Sequence, residues 1–280
     1  MSKSISIHIG MEYIDPEYYN GNNGKLATCG KDSLDMQDIA VTQNFESTQL
    51  LLNEGATRDT VKEAIELASK TLTSGDMLFI SYSGHGSLIP DSNSDEADAK
   101  DEAWCLYDGF LLDDELYALW TLFEEDVRIF MVSDSCHSGT MTKAAPGENI
   151  DSILVPKFFP EAQAKEVYKQ HKSFYDDIRK MVAPDKEKDL KASVKLIAGC
   201  QDDESSFILP HATNSLLTAE LNKVWDAGQF TGTTVEFFEQ IKEQVVGIAR
   251  KNKIYQTPNI FTIGKENTAF DTQRPFGVYT

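Results

Sequence analysis

Two short stretches of this 280-residue chain carry the residue types of nucleophilic chemistry: Gly84-His85-Gly86, and Ser133-Asp134-Ser135-Cys136-His137-Ser138-Gly139. A thiol attacks only as its thiolate, and an ordinary cysteine is mostly protonated at neutral pH. A nearby imidazole takes that proton and later returns it to a leaving amine. His85 is read as the base and Cys136 as the nucleophile. His137 is a rival base, but a side chain adjacent to the nucleophile on the same turn points away from it. The glycines around His85 let the backbone approach a substrate closely. The main-chain amides of Gly86 and Cys136 are then candidate donors to a developing oxyanion, each worth about 10²–10³ in rate. A cysteine at a strand end is more often a small buried hydrophobe. Here, however, both residues follow apolar strands and are glycine-flanked, which packing alone does not explain. Cys29, Cys105 and Cys200 have no such surroundings and read as buried filler.

The elements that must position this pair are apolar strands. Met77–Ser83 (MLFISYS) and residues 127–132 (VRIFMV) are continuous apolar runs of the kind buried on both faces. If they are neighbours in a parallel sheet, His85 and Cys136 meet at its carboxyl edge, where such folds place their sites. Residues 194–199 form a third buried strand. Ser4–Gly10 alternates polar and apolar and reads as a strand. Further strands are expected at 48–53 and 259–263. Helices are expected at 32–40, 57–72 with Thr57 as N-cap, 113–123, 215–227 and 233–251. Strands separated by helices imply an α/β fold: a mostly parallel central sheet with helices on both faces, in one domain over 1–280. Residues 143–191 break the rhythm. They hold ten basic and nine acidic residues, carry the pattern of an amphipathic helix at 160–182, and look like an insertion: a surface excursion, a regulatory flap or a cleavable linker.

Charge sets limits on partners. There are 26 Lys+Arg against 45 Asp+Glu, a net charge of −19. So negative a surface disfavours nucleic acid and favours cationic substrates. No apolar run approaches the roughly 20 residues that span a bilayer, so no membrane partner is expected. Four scattered cysteines without CxxC spacing, and no secretion signal at the N-terminus, fit a cytoplasmic chain with reduced thiols and no structural zinc.

Tyr82-Ser83-Gly84-His85-Gly86 and Asp134-Ser135-Cys136-His137-Ser138-Gly139 resemble the histidine and cysteine boxes of metacaspases, within the caspase-like cysteine peptidases. The boxes lie 51 residues apart, near the ~50-residue His-to-Cys interval of caspases. The resemblance extends to Asp101-Glu102, to Leu112-Asp113-Asp114-Glu115-Leu116 and to Gln256-Thr257-Pro258-Asn259, but not to residues 143–191. It implies a caspase-like three-layer sandwich, endopeptidase activity by a Cys–His dyad, and a monomer. Asp134, two positions before Cys136, lies on a related side of the extended chain end. A carboxylate there favours a cationic side chain before the scissile bond, and bidentate pairing favours Arg over Lys. The family's Cys-x-x-Asp stretch matches Cys29-Gly30-Lys31-Asp32, making Asp32 the second pocket acid, although an N-cap role accounts for it equally well. Asp203, after the third buried strand, is a candidate third acid. The resemblance also brings in calcium as an activator, through acids that match Asp101, Asp113 and Asp114. The loop at 91–101 lacks EF-hand spacing, Lys143 would oppose a cation, and Asp113-Asp114 also suit the start of a helix.

The resulting expectation is a cysteine endopeptidase cleaving protein or peptide substrates after Arg or Lys. It needs no cofactor for the chemistry and leaves calcium activation and self-cleavage within 143–191 open. The alternatives are a caspase-like peptidase cutting after Asp, an idle scaffold, and a calcium sensor without proteolysis.

Overall fold

The computed structural model describes residues 2–90, 100–136, 154–186 and 188–278. In chain order the elements are β1 (Ser4–Gly10), α1 (Cys29–Thr42), β2 (Ser47–Leu52), α2 (Arg58–Thr71), β3 (Met77–Ser83), β4 (Gly86–Pro90), β5 (Lys100–Leu106), β6 (Gly109–Leu112), α3 (Asp113–Trp120) and β7 (Arg128–Asp134). There follow β8 (Val155–Pro156), α4 (Glu161–Gln170), α5 (Lys172–Lys186), β9 (Ser193–Ala198), β10 (Phe207–Ile208), α6 (Leu216–Trp225), α7 (Thr234–Lys251), β11 (Asn259–Gly264) and α8 (Thr268–Thr272).

Six strands form the central sheet in the order β11-β9-β7-β3-β1-β2. All pairs are parallel except β11 with β9. Every residue of β3 and β7 is buried, as their unbroken apolar runs require. Alternate side chains divide between two cores. Leu78, Ile80, Ile129 and Met131 face α2, α3 and the β4-β5-β6 sheet, while Met77, Phe79, Phe130 and Val132 face α1, α6 and α7. The result is three layers. The expected helix at 57–72 forms with Thr57 as its cap: the Thr57 hydroxyl accepts the Thr60 amide and Thr60 Oγ1 accepts the Thr57 amide, satisfying two donors left open at a helix start.

Two local expectations differ from what forms, and the alternating strand β1 is covered on both faces. The polar residues of β1 do not meet water: Ser4, Ser6 and His8 are as buried as Ile7 and Ile9, because α1 covers that face. The single helix expected at 160–182 is two, α4 and α5, broken at His171. The stretch is no surface excursion either. Val167 and Tyr175 are fully buried in the core of the α2/α3 layer, as is Phe159 ahead of α4. Among the described residues no helix is long and apolar enough to cross a membrane.

Candidate active site

The site grows from the β3–β7 pairing. The register sets Ser83 opposite Asp134, so His85 and Cys136 each lie two residues past the last rung on adjacent strands. Gly86 then runs so close to the cysteine that a Cβ on it would meet the Cys136 carbonyl oxygen at 2.2 Å. Only glycine fits there. The His85 carbonyl is pinned by the Tyr82 hydroxyl (2.7 Å) and the Cys105 amide (3.0 Å), which fixes the loop that carries the imidazole. On the other tip, Trp104 Nε1 donates to Ser133 Oγ (3.1 Å), which bonds Ser135 Oγ (3.0 Å).

The two tips close around a segment of the chain itself. Val155-Pro156 pairs antiparallel with Phe207-Ile208. The Lys157 amide donates to the Ser206 carbonyl (2.9 Å). The Lys157 carbonyl oxygen accepts both the Gly86 amide (3.1 Å) and the Cys136 amide (3.2 Å), and the Phe159 amide returns to the Gly86 carbonyl (2.8 Å). An extended strand thus crosses the cleft, with the carbonyl before Phe158 held by two converging N–H groups.

The Lys157 side chain is fully buried. Its ammonium donates to Ser83 Oγ (2.8 Å) and Ser215 Oγ (2.9 Å), with Asp134 Oδ2 at 3.3 Å and Asp32 Oδ2 at 3.6 Å. Two carboxylates and two hydroxyls offset the loss of water around this charge. Burial alone would lower the lysine pKa, but Asp134 and Asp32 outweigh it and raise it. Burial raises the Asp32 pKa, while Lys157 and the hydroxyls of Ser215 and Ser83 act against that rise. Asp32 is no cap for its own helix. Its Oδ1 accepts the Ser215 amide (3.0 Å) at the start of α6 and Asn214 Nδ2 (3.0 Å), which leaves Oδ2 to the pocket. Asp134 is held by Ser206 Oγ and by Thr218 Oγ1 (3.1 Å).

Burial pulls the His85 pKa down to about 4, and the Lys157 charge adds to this, against a hydrogen bond with the Gly24 main chain. The ring is neutral at pH 7, as a base must be. Its Nδ1 is buried and, among the described residues, has no hydrogen-bond partner. The Cys136 sulfur lies elsewhere. It accepts the Ser206 amide (2.6 Å) and faces the Ser206 carbonyl (3.3 Å).

Asp32 and Asp134 therefore meet at the Lys157 ammonium, and the Gly86 and Cys136 amides meet at its carbonyl oxygen, while the His85 ring and the Cys136 sulfur make no hydrogen bond to each other. Asp203 does not join the other two acids: the chain turns outward after β9 and leaves Asp203 exposed, while Ser83 and Ser215 supply the pocket's remaining polar groups. Neither serine, nor Lys157, stands out in the sequence, because each reaches the pocket only through strand register or the return of a distant segment. His137, Lys143 and the acidic loop at 91–99 lie outside the described residues.

The residues do not fit a calcium site. Arg179 on α5 is buried and grips Asp101 Oδ2 with Nε (2.7 Å) and Nη2 (2.6 Å), while Nη2 also donates to the Pro90 carbonyl (2.7 Å). A guanidinium already sits against the carboxylate a metal would need. Asp113 instead lines a cavity beside Trp104 and Leu116. Among the described residues no three His, Cys, Asp or Glu side chains gather as a metal cage.

Known proteins resemble this chain at two levels. Metacaspase-1 of Pyricularia oryzae is 31% identical over 137 residues, covering 44% of this chain and 34% of that protein, and Metacaspase-1 of Plasmodium falciparum is 33% identical over 138 residues, covering 44% and 22%. The match thus spans about a third of the first relative and less of the second. The crystal structure of protein GSU0716 from Geobacter sulfurreducens superposes with a TM-score of 0.84 and 39% identity, covering 99% of this chain and all of that one. Caspase-1 of Spodoptera frugiperda shares the fold at a TM-score of 0.54 and 11% identity, over 94% and 87% of the two chains. Residues 6–145 match the metacaspase, peptidase C14 domain family, and with both motif-bearing strands inside that span, the chain belongs to the metacaspases.

Proposed function

We propose that the chain is a cysteine endopeptidase that cleaves after lysine or arginine, and that its own Lys157–Phe158 bond is the first it cuts. The observation that carries this reading is the docked segment. Lys157 has its ammonium between Asp32 and Asp134 and its carbonyl oxygen on the Gly86 and Cys136 amides. A bound substrate needs the same contacts: antiparallel pairing before the scissile bond, a filled pocket, and a carbonyl polarised where its negative charge will develop.

In the proposed reaction His85 takes the Cys136 proton. The thiolate turns from Ser206 to the Lys157 carbonyl carbon and forms the S–C bond, and the oxyanion is held by the two amides. His85 then protonates the Phe158 nitrogen as the C–N bond breaks, and water releases Lys157 from the sulfur. A pocket lined by two acids rejects an aspartate side chain by like-charge repulsion, which speaks against cleavage after Asp. The ammonium-sized arrangement around Lys157 supports lysine at least as well as arginine, shifting the weight from the bidentate argument made on sequence.

Intact-mass measurement tests the self-cut. Wild-type protein yields a fragment ending at Lys157, whereas Cys136→Ala and Lys157→Ala remain whole. Peptide reporters that differ only in the residue before the bond test selectivity, with Lys and Arg reporters turned over and the Asp reporter inert. A wild-type chain that cuts the Asp reporter, or turns over none, overturns the reading.

A further inference from the structure

The Gln256-Thr257-Pro258-Asn259 stretch ahead of β11 takes no part in the chemistry proposed above, yet its side chains reach back to residues 199–207. Gln256 is buried, and both ends of its side-chain amide are held. Its Oε1 accepts the Phe207 amide (3.0 Å), and its Nε2 donates to the Gly199 carbonyl (3.0 Å) and to Ser206 Oγ (3.0 Å). Only one orientation of the amide serves these partners, because the Phe207 N–H can only donate and the Gly199 carbonyl can only accept. Thr257 is fixed alongside: its N–H and its hydroxyl both donate to the Glu204 carboxylate.

Ser206 is where the parts of the site meet. Its carbonyl accepts the Lys157 amide, its N–H donates to the Cys136 sulfur, and its hydroxyl donates to Asp134 Oδ1. A hydroxyl has a single proton. Gln256 Nε2 can only donate, so it occupies a lone pair of Ser206 Oγ and leaves that proton to Asp134. The fit is close: a Cβ on Gly199 would stand 3.0 Å from Ser206 Oγ and 3.2 Å from Asp134 Oδ1. With Oδ1 tied, Oδ2 faces the Lys157 ammonium at 3.3 Å. Filling this space would need no amide. Two donors and an acceptor directed at Ser206 and its neighbours fix a geometry.

We propose that Gln256 is a positioning residue for recognition of the substrate's cation. Through Ser206 it aims Asp134 at the ammonium, and through the Phe207 amide it holds the strand along which the substrate lies. The inference rests on the reading of Asp32 and Asp134 as the pocket for the residue before the scissile bond. The partners of Gln256 are Phe207, Gly199 and Ser206, not Lys157 or the Cys136 sulfur. Its loss therefore weakens ground-state and transition-state binding alike, which raises KM and leaves kcat nearly unchanged. The effect falls on charge recognition. A norleucine reporter, whose side chain is that of lysine without the ammonium, makes no ion pair with Asp134 and loses less.

The test compares peptide reporters that carry lysine or norleucine before the scissile bond. Gln256→Met keeps the length of the side chain and removes its amide. Expected for the lysine reporter is a KM raised about 30-fold with kcat within about threefold, and a lysine-to-norleucine ratio of kcat/KM about tenfold below wild type. Gln256→Asn, one methylene too short to bridge Phe207 and Ser206, is read in the same way and covers a failure of Gln256→Met to fold. Ser206→Ala shows the same loss of ratio, and combining it with the Gln256 change adds little, since both act through one chain of hydrogen bonds. A further readout needs no turnover. In the uncut Cys136→Ala chain, Gln256→Asn lowers the urea midpoint about twofold more than it does when Lys157→Ala is also present, because only the first chain holds a buried ammonium. The proposal is overturned if both reporters lose equally, if the loss lies in kcat with KM unchanged, if the Gln256 and Ser206 losses add, or if the urea shifts are the same with and without Lys157. A wild type inert on both reporters would instead sink the peptidase reading, and the urea comparison would still decide whether Gln256 serves the ammonium.

Discussion

A single lysine links the two halves of the proposed site. Lys157 is wholly buried, and its charge is tolerated only because Asp134, Asp32, Ser83 and Ser215 surround it. Removing one partner of a buried ion pair leaves an uncompensated charge and costs about 3–5 kcal/mol. Asp134→Asn is therefore expected to lower the urea midpoint of the uncut chain. In a Lys157→Ala background, where no internal ammonium remains, the same change should cost much less. On an external lysine reporter it should reduce kcat/KM by about 10²-fold or more, the kinetic form of the same energy. Equal destabilisation in both backgrounds would mean that Asp134 acts through β7 packing and not through the ammonium.

At the scale of elements, α5 braces the hairpin next to the site. Arg179 joins Asp101 and the Pro90 carbonyl, which bound the loop between β4 and β5, and its guanidinium also lies over the Tyr168 ring. This is a resident cation on the chain itself. Arg179→Met is expected to destabilise the protein by about 3–5 kcal/mol, as the buried Asp101 loses its guanidinium. Turnover by wild type is expected to be the same in calcium as in a calcium chelator; a strict calcium requirement would contradict this assignment. The strands that carry His85 and Cys136 were legible because continuous apolar runs and loop glycines are local signals. Asp134 was legible from its two-residue offset along an extended chain. What the docked segment does was not, because nothing local in Pro156-Lys157-Phe158 says that the chain returns to the cleft after the cysteine box. Arg179 was hidden likewise among the charges of an amphipathic pattern, since periodicity assigns a residue to a face without revealing the carboxylate opposite. The alternation in β1 was legible as a strand, but it marks a polar face without saying that α1 covers it.

At the scale of the whole molecule, the sheet spans the proposed cut. β7 lies before Lys157 and β9 after it, and the two are hydrogen-bonded neighbours. Phe159 packs against Tyr19 and Phe110. The two fragments are therefore expected to migrate as one species on size exclusion and to part only in denaturant. Two separate peaks from native buffer would refute this. Acid is the expected weakness of the fold. Burial holds His8 at about 3 and His85 at about 4, both below the ordinary value of 6.5. Folded, both rings stay neutral; unfolded, they take up protons below pH 6.5. The unfolded chain then binds more protons, so stability is full above that pH and declines as pH falls toward 4. At pH 5 each ring accounts for about 2 kcal/mol of the loss. Comparing urea midpoints at pH 7.5 and 5.0 checks this, with His8→Gln expected to remove about half of the difference.

The strand formed by Val155 and Pro156 has a kinetic consequence once the bond beyond it is severed. A tail that is still part of the chain competes for its own cleft as though present at millimolar concentration. A free peptide at micromolar levels would lose that contest for as long as the tail keeps its lysine in place. Release of the tether, rather than breakage of the bond, would then set the moment at which foreign chains gain entry.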